Sequence, residues 1–100
     1  MLVWRTMEPE DTQMKIRKEV LWFAWQMERK LRENEDKGHW SECGAEYLLS
    51  RLKEETNELD ASILADGDKS DIKNTVEETA DVANFAMMIA DNAANGRLAE

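Results

Sequence analysis

Scarcity of proline and glycine does most to limit how this chain can fold. One proline, Pro9, and four glycines, Gly38, Gly44, Gly67 and Gly96, are spread through 100 residues. These two residue types are the strongest interrupters of regular backbone, so their positions leave three long unbroken stretches. Within each stretch apolar residues recur at three- and four-residue spacing and do not alternate, which predicts an all-α protein without strands.

The first helix is expected to begin near Glu10 to Thr12 and to run to about Asn34, carried by Ile16, Val20, Phe23 or Ala24, Met27 and Leu31. The segment ENEDKGHWSECG breaks it. A second helix is expected from about Glu42 to Ala65, carried by Ala45, Leu48, Leu49, Leu52, Leu59 and Ile63. DGDKS closes that helix, and Ser70 or Asp71 is placed to cap a third reaching about Asn92, with NAANGRLAE fraying behind it. Residues 1–100 read as one domain, three long helices in an antiparallel bundle.

Three helices of this length bury a small core, and the third helix indicates how the deficit is met. Ala80, Ala83, Ala86, Met87 and Ala90 cover one side of it, while Val82, Phe85 and Ile89 cover another. A helix apolar around most of its circumference sits centrally, so the bundle is expected to be completed by oligomerisation, as a homodimer or homotetramer. Trp22 is expected in the core, Cys43 as a small buried side chain, and Met87 and Met88 as filler.

Composition removes several classes of function. Cys43 is the only cysteine and His39 the only histidine, so neither an internal disulfide nor a Cys/His zinc site is available within one chain. Any metal would be held by oxygen. With 22 acidic and 13 basic residues the formal charge is −9, which argues against docking on a nucleic-acid backbone. No stretch has the length of a membrane span, and the opening MLVWRTMEPED lacks the apolar core of a signal peptide, so the expected location is cytoplasmic.

The acidic residues are not evenly spread. On the second helix Glu55 borders the apolar stripe and Glu58 flanks it, whereas Glu54 points away into solvent. On the third, Glu78 falls between the directions of Phe85 and Ile89, with Asp81 beside it. A carboxylate in an apolar arc is costly unless a partner or a metal compensates it. Each E-x-x-E/D pair sets two carboxylates one turn apart, and helices packed side by side would bring all four together. Four hard oxygen donors of like charge call for Mg²⁺, with Mn²⁺ as a substitute. The plainer alternative is a pair of solvated helix faces.

ETNE at 55–58 and ETAD at 78–81, within the longer LKEETNEL and VEETADVANF, resemble the E-x-x-E and E-x-x-D motifs of the MazG-like, all-α nucleoside triphosphate pyrophosphohydrolases. The resemblance covers residues 48–92 and reaches the first helix only through architecture. It implies Mg²⁺-dependent cleavage of a (deoxy)nucleoside triphosphate to the monophosphate and pyrophosphate, at sites formed on dimer interfaces of helical bundles. Glu55, Glu58, Glu78 and Asp81 are then the metal ligands, and Glu55 is the candidate to take the proton of the attacking water. Ala80 stands where many relatives carry glycine. For substrate contacts, Asn84 is placed for sugar or base, Lys37, Arg51, Lys69 and Lys73 for phosphates, and His39 and Trp40 for the base. Arg51 also stands four residues before Glu55, where it can pair with it. The small size and the KGxW-like segment resemble phage or mobile-element members acting on purine deoxynucleotides, which makes dATP and dGTP the first substrates to try.

Two other readings remain. A phosphoribosyl-ATP pyrophosphohydrolase-like enzyme would share the fold, and an acidic helical binding module would use the same carboxylates as ordinary surface. A ferritin-like di-iron bundle needs E-x-x-H ligands, and the one histidine lies in a loop.

Overall fold

A computed structural model describes residues 15–64 and 72–98. Helix α1 spans Lys18–Glu33, short 3₁₀ turns follow at Glu35–Lys37 and Trp40–Glu42, and α2 (Ala45–Leu64) and α3 (Ile72–Ala94) complete the described elements. Among the described residues the structure is helical with no strand, and no helix is long and apolar enough to cross a membrane.

The helix ends differ from the spacing-based expectation. The expected start at Glu10 to Thr12 lies outside the described residues, but residues 15–17 are not helical and α1 begins only at Lys18, with Arg17 extended at ψ 146°. Ile16, which spacing placed within the helix, is 43% exposed. An apolar period propagates a helix only where there is surface to bury against, and Ile16 has little. Helix α2 starts at Ala45, not Glu42, because Trp40–Glu42 closes as a 3₁₀ turn and Cys43 is extended. The expected turn DGDKS and the Ser70 or Asp71 cap lie outside the described residues, as does Lys69.

Helices α2 and α3 run antiparallel. Ser62 meets Thr75 at 2.9 Å, Glu58 meets Glu78, and the Arg51 guanidinium lies 5.0 Å over the Phe85 ring, so positions ascend on one helix as they descend on the other. Helix α1 lies beside α3 in the same sense, with Trp22 and Phe23 next to Thr75–Thr79 and the Met27 carbonyl accepting a hydrogen bond from Asn84. The loop between α1 and α2 is fastened to the far end of α3. There Trp40 Nε1 donates to Asp91 at 3.0 Å, and the fully buried Asn92 donates to the Trp40 carbonyl at 3.1 Å. Gly38, at φ 92°, takes a conformation open mainly to glycine and turns the chain toward His39 and Trp40.

The interior is more polar than the sequence leads one to expect. Among the described residues Leu48 and Ala80 are the buried apolar side chains, while Glu55, Ser62, Asn84 and Asn92 are buried polar ones. Ala80 has its methyl fully enclosed and so forms part of this seam. Trp22 is not core in the protomer: it is 52% exposed, and Trp25 is 70% exposed. Trp22 only borders Thr75–Thr79 at the edge of the α1–α3 contact, and Val20 and Leu21 are also exposed. Cys43 is half-buried, not enclosed, because the extended segment that carries it borders an open cleft.

Candidate metal centre and adjoining cleft

Periodicity brings three of the four expected carboxylates together. Glu55, Glu58 and Glu78 each offer an oxygen within 4.8 Å of the other two, with Glu55 buried, Glu78 half-buried and Glu58 exposed at the edge. Glu55 Oε1 and Glu78 Oε1 are enclosed and have no hydrogen-bond partner. Glu54, read as solvent-facing, is 57% exposed in its side chain. One helical position therefore separates a surface glutamate from a buried one.

Asp81 stands one turn along α3 and outside that close group. Its Oδ2 lies 3.8 Å from Lys30 Nζ on α1, and the ammonium is also 3.4 Å from Glu33. The Glu55 side chain is held on its other oxygen: Arg51 Nη2 donates to Oε2 at 3.1 Å while Nη1 contacts Glu54. Arg51 thus takes the i to i+4 pairing open to it and stacks on Phe85 besides.

All three shifted carboxyls of the centre move the same way. Burial pushes Glu78 from the ordinary 4.5 up to about 6, reinforced by the charge of Glu58, a hydrogen bond with it, and the charges of Asp81 and Glu55. Burial raises Glu55 too, with Glu58 and Asp81 adding to the shift and Arg51 opposing it. Asp81 is raised by burial although Lys30 pulls it down. Like charges held together in a poorly solvated seam favour the protonated forms.

A cleft of about 730 Å³ adjoins the cluster at Glu55 and Asp81. It gathers five of the substrate-binding candidates, Lys37, His39, Trp40, Arg51 and Asn84. His39 and Trp40 stack at 4.0 Å between ring centres. His39 Nδ1 accepts from the Ser41 amide at 3.0 Å, which in the neutral ring leaves the proton on Nε2. Asn84 is no surface amide: its Nδ2 donates to the Met27 carbonyl at 3.0 Å, which fixes the flip, and its buried Oδ1 has no partner. Lys73 is not brought to the cleft. It is 84% exposed in its side chain and pairs with Glu77 at 3.8 Å, on the outer side of the first turn of α3.

The sequence reading passed over Lys30, Phe85 as the platform for Arg51, and the Asp91–Asn92 anchor of Trp40. Lys30 follows Met27 by three residues and so shares its side of α1, a signal that could have turned it toward α3.

The donor set suits a hard divalent cation. Glu55, Glu58 and Glu78 converge, and Glu55 and Glu78 each carry an enclosed oxygen without a partner, a donor set that could hold Mg²⁺ or Mn²⁺. Comparison with protein-family models, with curated proteins and with solved structures returns no match.

Proposed function

We propose that the protein hydrolyses a nucleoside triphosphate between its α and β phosphates, releasing the monophosphate and pyrophosphate, with Mg²⁺ held by Glu55, Glu58, Glu78 and Asp81. One observation carries the reading: the inter-helix carboxylate group with its orphaned Glu55 and Glu78 oxygens, bordering a cleft of nucleotide size. Divalent cations held there would offset the phosphate charge, orient the chain and lower the pKa of the attacking water. Glu55, its basicity raised by burial and by Glu58 and Asp81, takes the proton of that water, while Arg51 keeps its Oε2 fixed. The His39–Trp40 stack offers a face to the base, and Asn84 Oδ1 an acceptor for a sugar or base donor. Purine deoxynucleotides are the first candidates.

A second copy of the chain completes the bundle in this proposal. The support is that, among the described residues, Leu48 and Ala80 are the enclosed apolar side chains while α1 exposes Val20, Leu21, Trp22 and Trp25.

The test incubates the protein with Mg²⁺ and each of the eight common ribo- and deoxynucleoside triphosphates, separating products by chromatography beside Glu55→Gln. Monophosphate and pyrophosphate that vanish in the variant bear the proposal out. No cleavage, together with a melting temperature that Mg²⁺ does not move, would return the carboxylates to an ordinary acidic face and point to a protein partner.

A further inference from the structure

We propose that Lys30 is an exchangeable counter-cation of this centre, neutralising Asp81 while the carboxylates hold no divalent ion and turning its ammonium to the substrate's phosphate chain once they do. The inference rests on the metal reading above and adds a residue from α1, the helix the sequence motifs do not reach.

The side chain of Lys30 is only 17% exposed, and it lines the cleft together with Asp81. Its two carboxylate contacts, 3.8 Å to Asp81 and 3.4 Å to Glu33, are longer than a well-formed ammonium–carboxylate hydrogen bond. It is therefore held by charge and not locked by geometry. Burial draws its pKa down, but Asp81, Glu33 and Glu77 outweigh that and hold it above the ordinary lysine value, so the group stays charged. The other cations of the cleft are otherwise engaged or exposed. Arg51 is fixed by Glu54, Glu55 and the Phe85 face. Arg32 pairs with Glu28 and is 72% exposed, and Lys37 is exposed in the loop.

A divalent ion that takes up the charge of Asp81 deprives the Lys30 ammonium of its inter-helix partner. The ammonium is then a half-buried cation on a flexible stem, beside the space a phosphate chain would enter, with three donors to offer. Two opposite consequences follow. Without nucleotide Lys30 competes with the metal for Asp81 and weakens metal binding; with phosphate present it strengthens phosphate binding.

Lys30→Met separates the two. Mn²⁺ affinity of the nucleotide-free protein, read from the electron paramagnetic resonance of free Mn²⁺, should tighten roughly threefold, as loss of a partly solvated competing pair implies. Affinity of the Mn²⁺-loaded protein for inorganic tripolyphosphate, measured by calorimetry, should weaken about tenfold or more, as loss of a charged donor implies. Lys30→Arg should stay near wild type in both, and if Lys30→Met does not fold by circular dichroism, Lys30→Gln takes its place. Both affinities falling together would make Lys30 a mere prop of the fold, and neither moving would make it a bystander; either result overturns the inference while leaving the metal reading intact. A wild-type protein that binds no Mn²⁺ would instead overturn the metal reading, and the inference with it.

Discussion

Glu78→Gln should make the metal-free protein more stable and the metal-loaded protein less so. Gln has nearly the shape of a protonated Glu, so the substitution removes charge while keeping volume. The Glu78 carboxyl is pushed from 4.5 to about 6 in the folded chain, so folding favours its protonated form. The cost of ionising it is absent below about pH 4.5, grows between there and pH 6, and is complete above. Fully expressed it would be about 2 kcal/mol; with the exposed Glu58 side of the cluster screened by water, about 1 kcal/mol is the working figure. In chelator at pH 8, Glu78→Gln should therefore melt about 4 °C above wild type, and the gap should close at pH 4.5. With Mn²⁺ at about 100 times its Kd, wild type gains about 2.7 kcal/mol, whereas a variant bound about a hundredfold more weakly gains about 0.4 kcal/mol. The order of melting temperatures reverses. Differential scanning calorimetry at one fixed protomer concentration, in chelator and in Mn²⁺, reads both signs. A variant less stable than wild type in chelator at pH 8, or one stabilised equally by Mn²⁺, would refute the reasoning, because the first denies electrostatic strain at Glu78 and the second denies that it binds the ion.

Trp40→Phe keeps an aromatic ring of smaller size and removes the Nε1 donor that fastens the loop to Asp91; it should cost about 1.5 kcal/mol in urea unfolding, whereas Trp25→Phe, at a site 70% exposed, should stay within about 0.5 kcal/mol. Equal effects would show that the indole contributes only bulk. Light scattering at micromolar concentration should give a mass of more than one chain, and Trp25→Glu, which puts a charge on the exposed side of α1, should reduce it; a wild-type monomer would end the case for a bundle completed by a second copy.

What the sequence discloses and what it hides follow from how far each contact reaches along the chain. Helix type is local: few glycines and prolines and a three-to-four period suffice, and α1, α2 and α3 lie where that period runs. The split between Glu54, which is exposed, and Glu55, which is buried, is also local, because a rotation of about 100° per residue decides it. Helix starts are less so. The onset of α1 at Lys18 depends on what Ile16 can bury against, and the opening of α2 on how Trp40 is anchored fifty residues away at Asp91 and Asn92. Trp22 failed as a core residue for the same reason, since its spacing gives a direction but not what lies there. Lys30 was invisible because its partner, Asp81, is on another helix, and neither motif extends to α1.

The centre is also short of positive charge. Arg51 lies on Glu55 and Lys30 lies near Asp81, yet Glu55, Asp81 and Glu78 are all displaced toward the protonated form, each with burial as the leading cause. The two enclosed oxygens without partners belong to Glu55 and Glu78, the carboxylates that face one another across α2 and α3. A protein stabilised only by its own contacts would gain from replacing either residue. A divalent cation between them would supply the positive charge that Arg51 and Lys30 do not, in keeping with the proposed function.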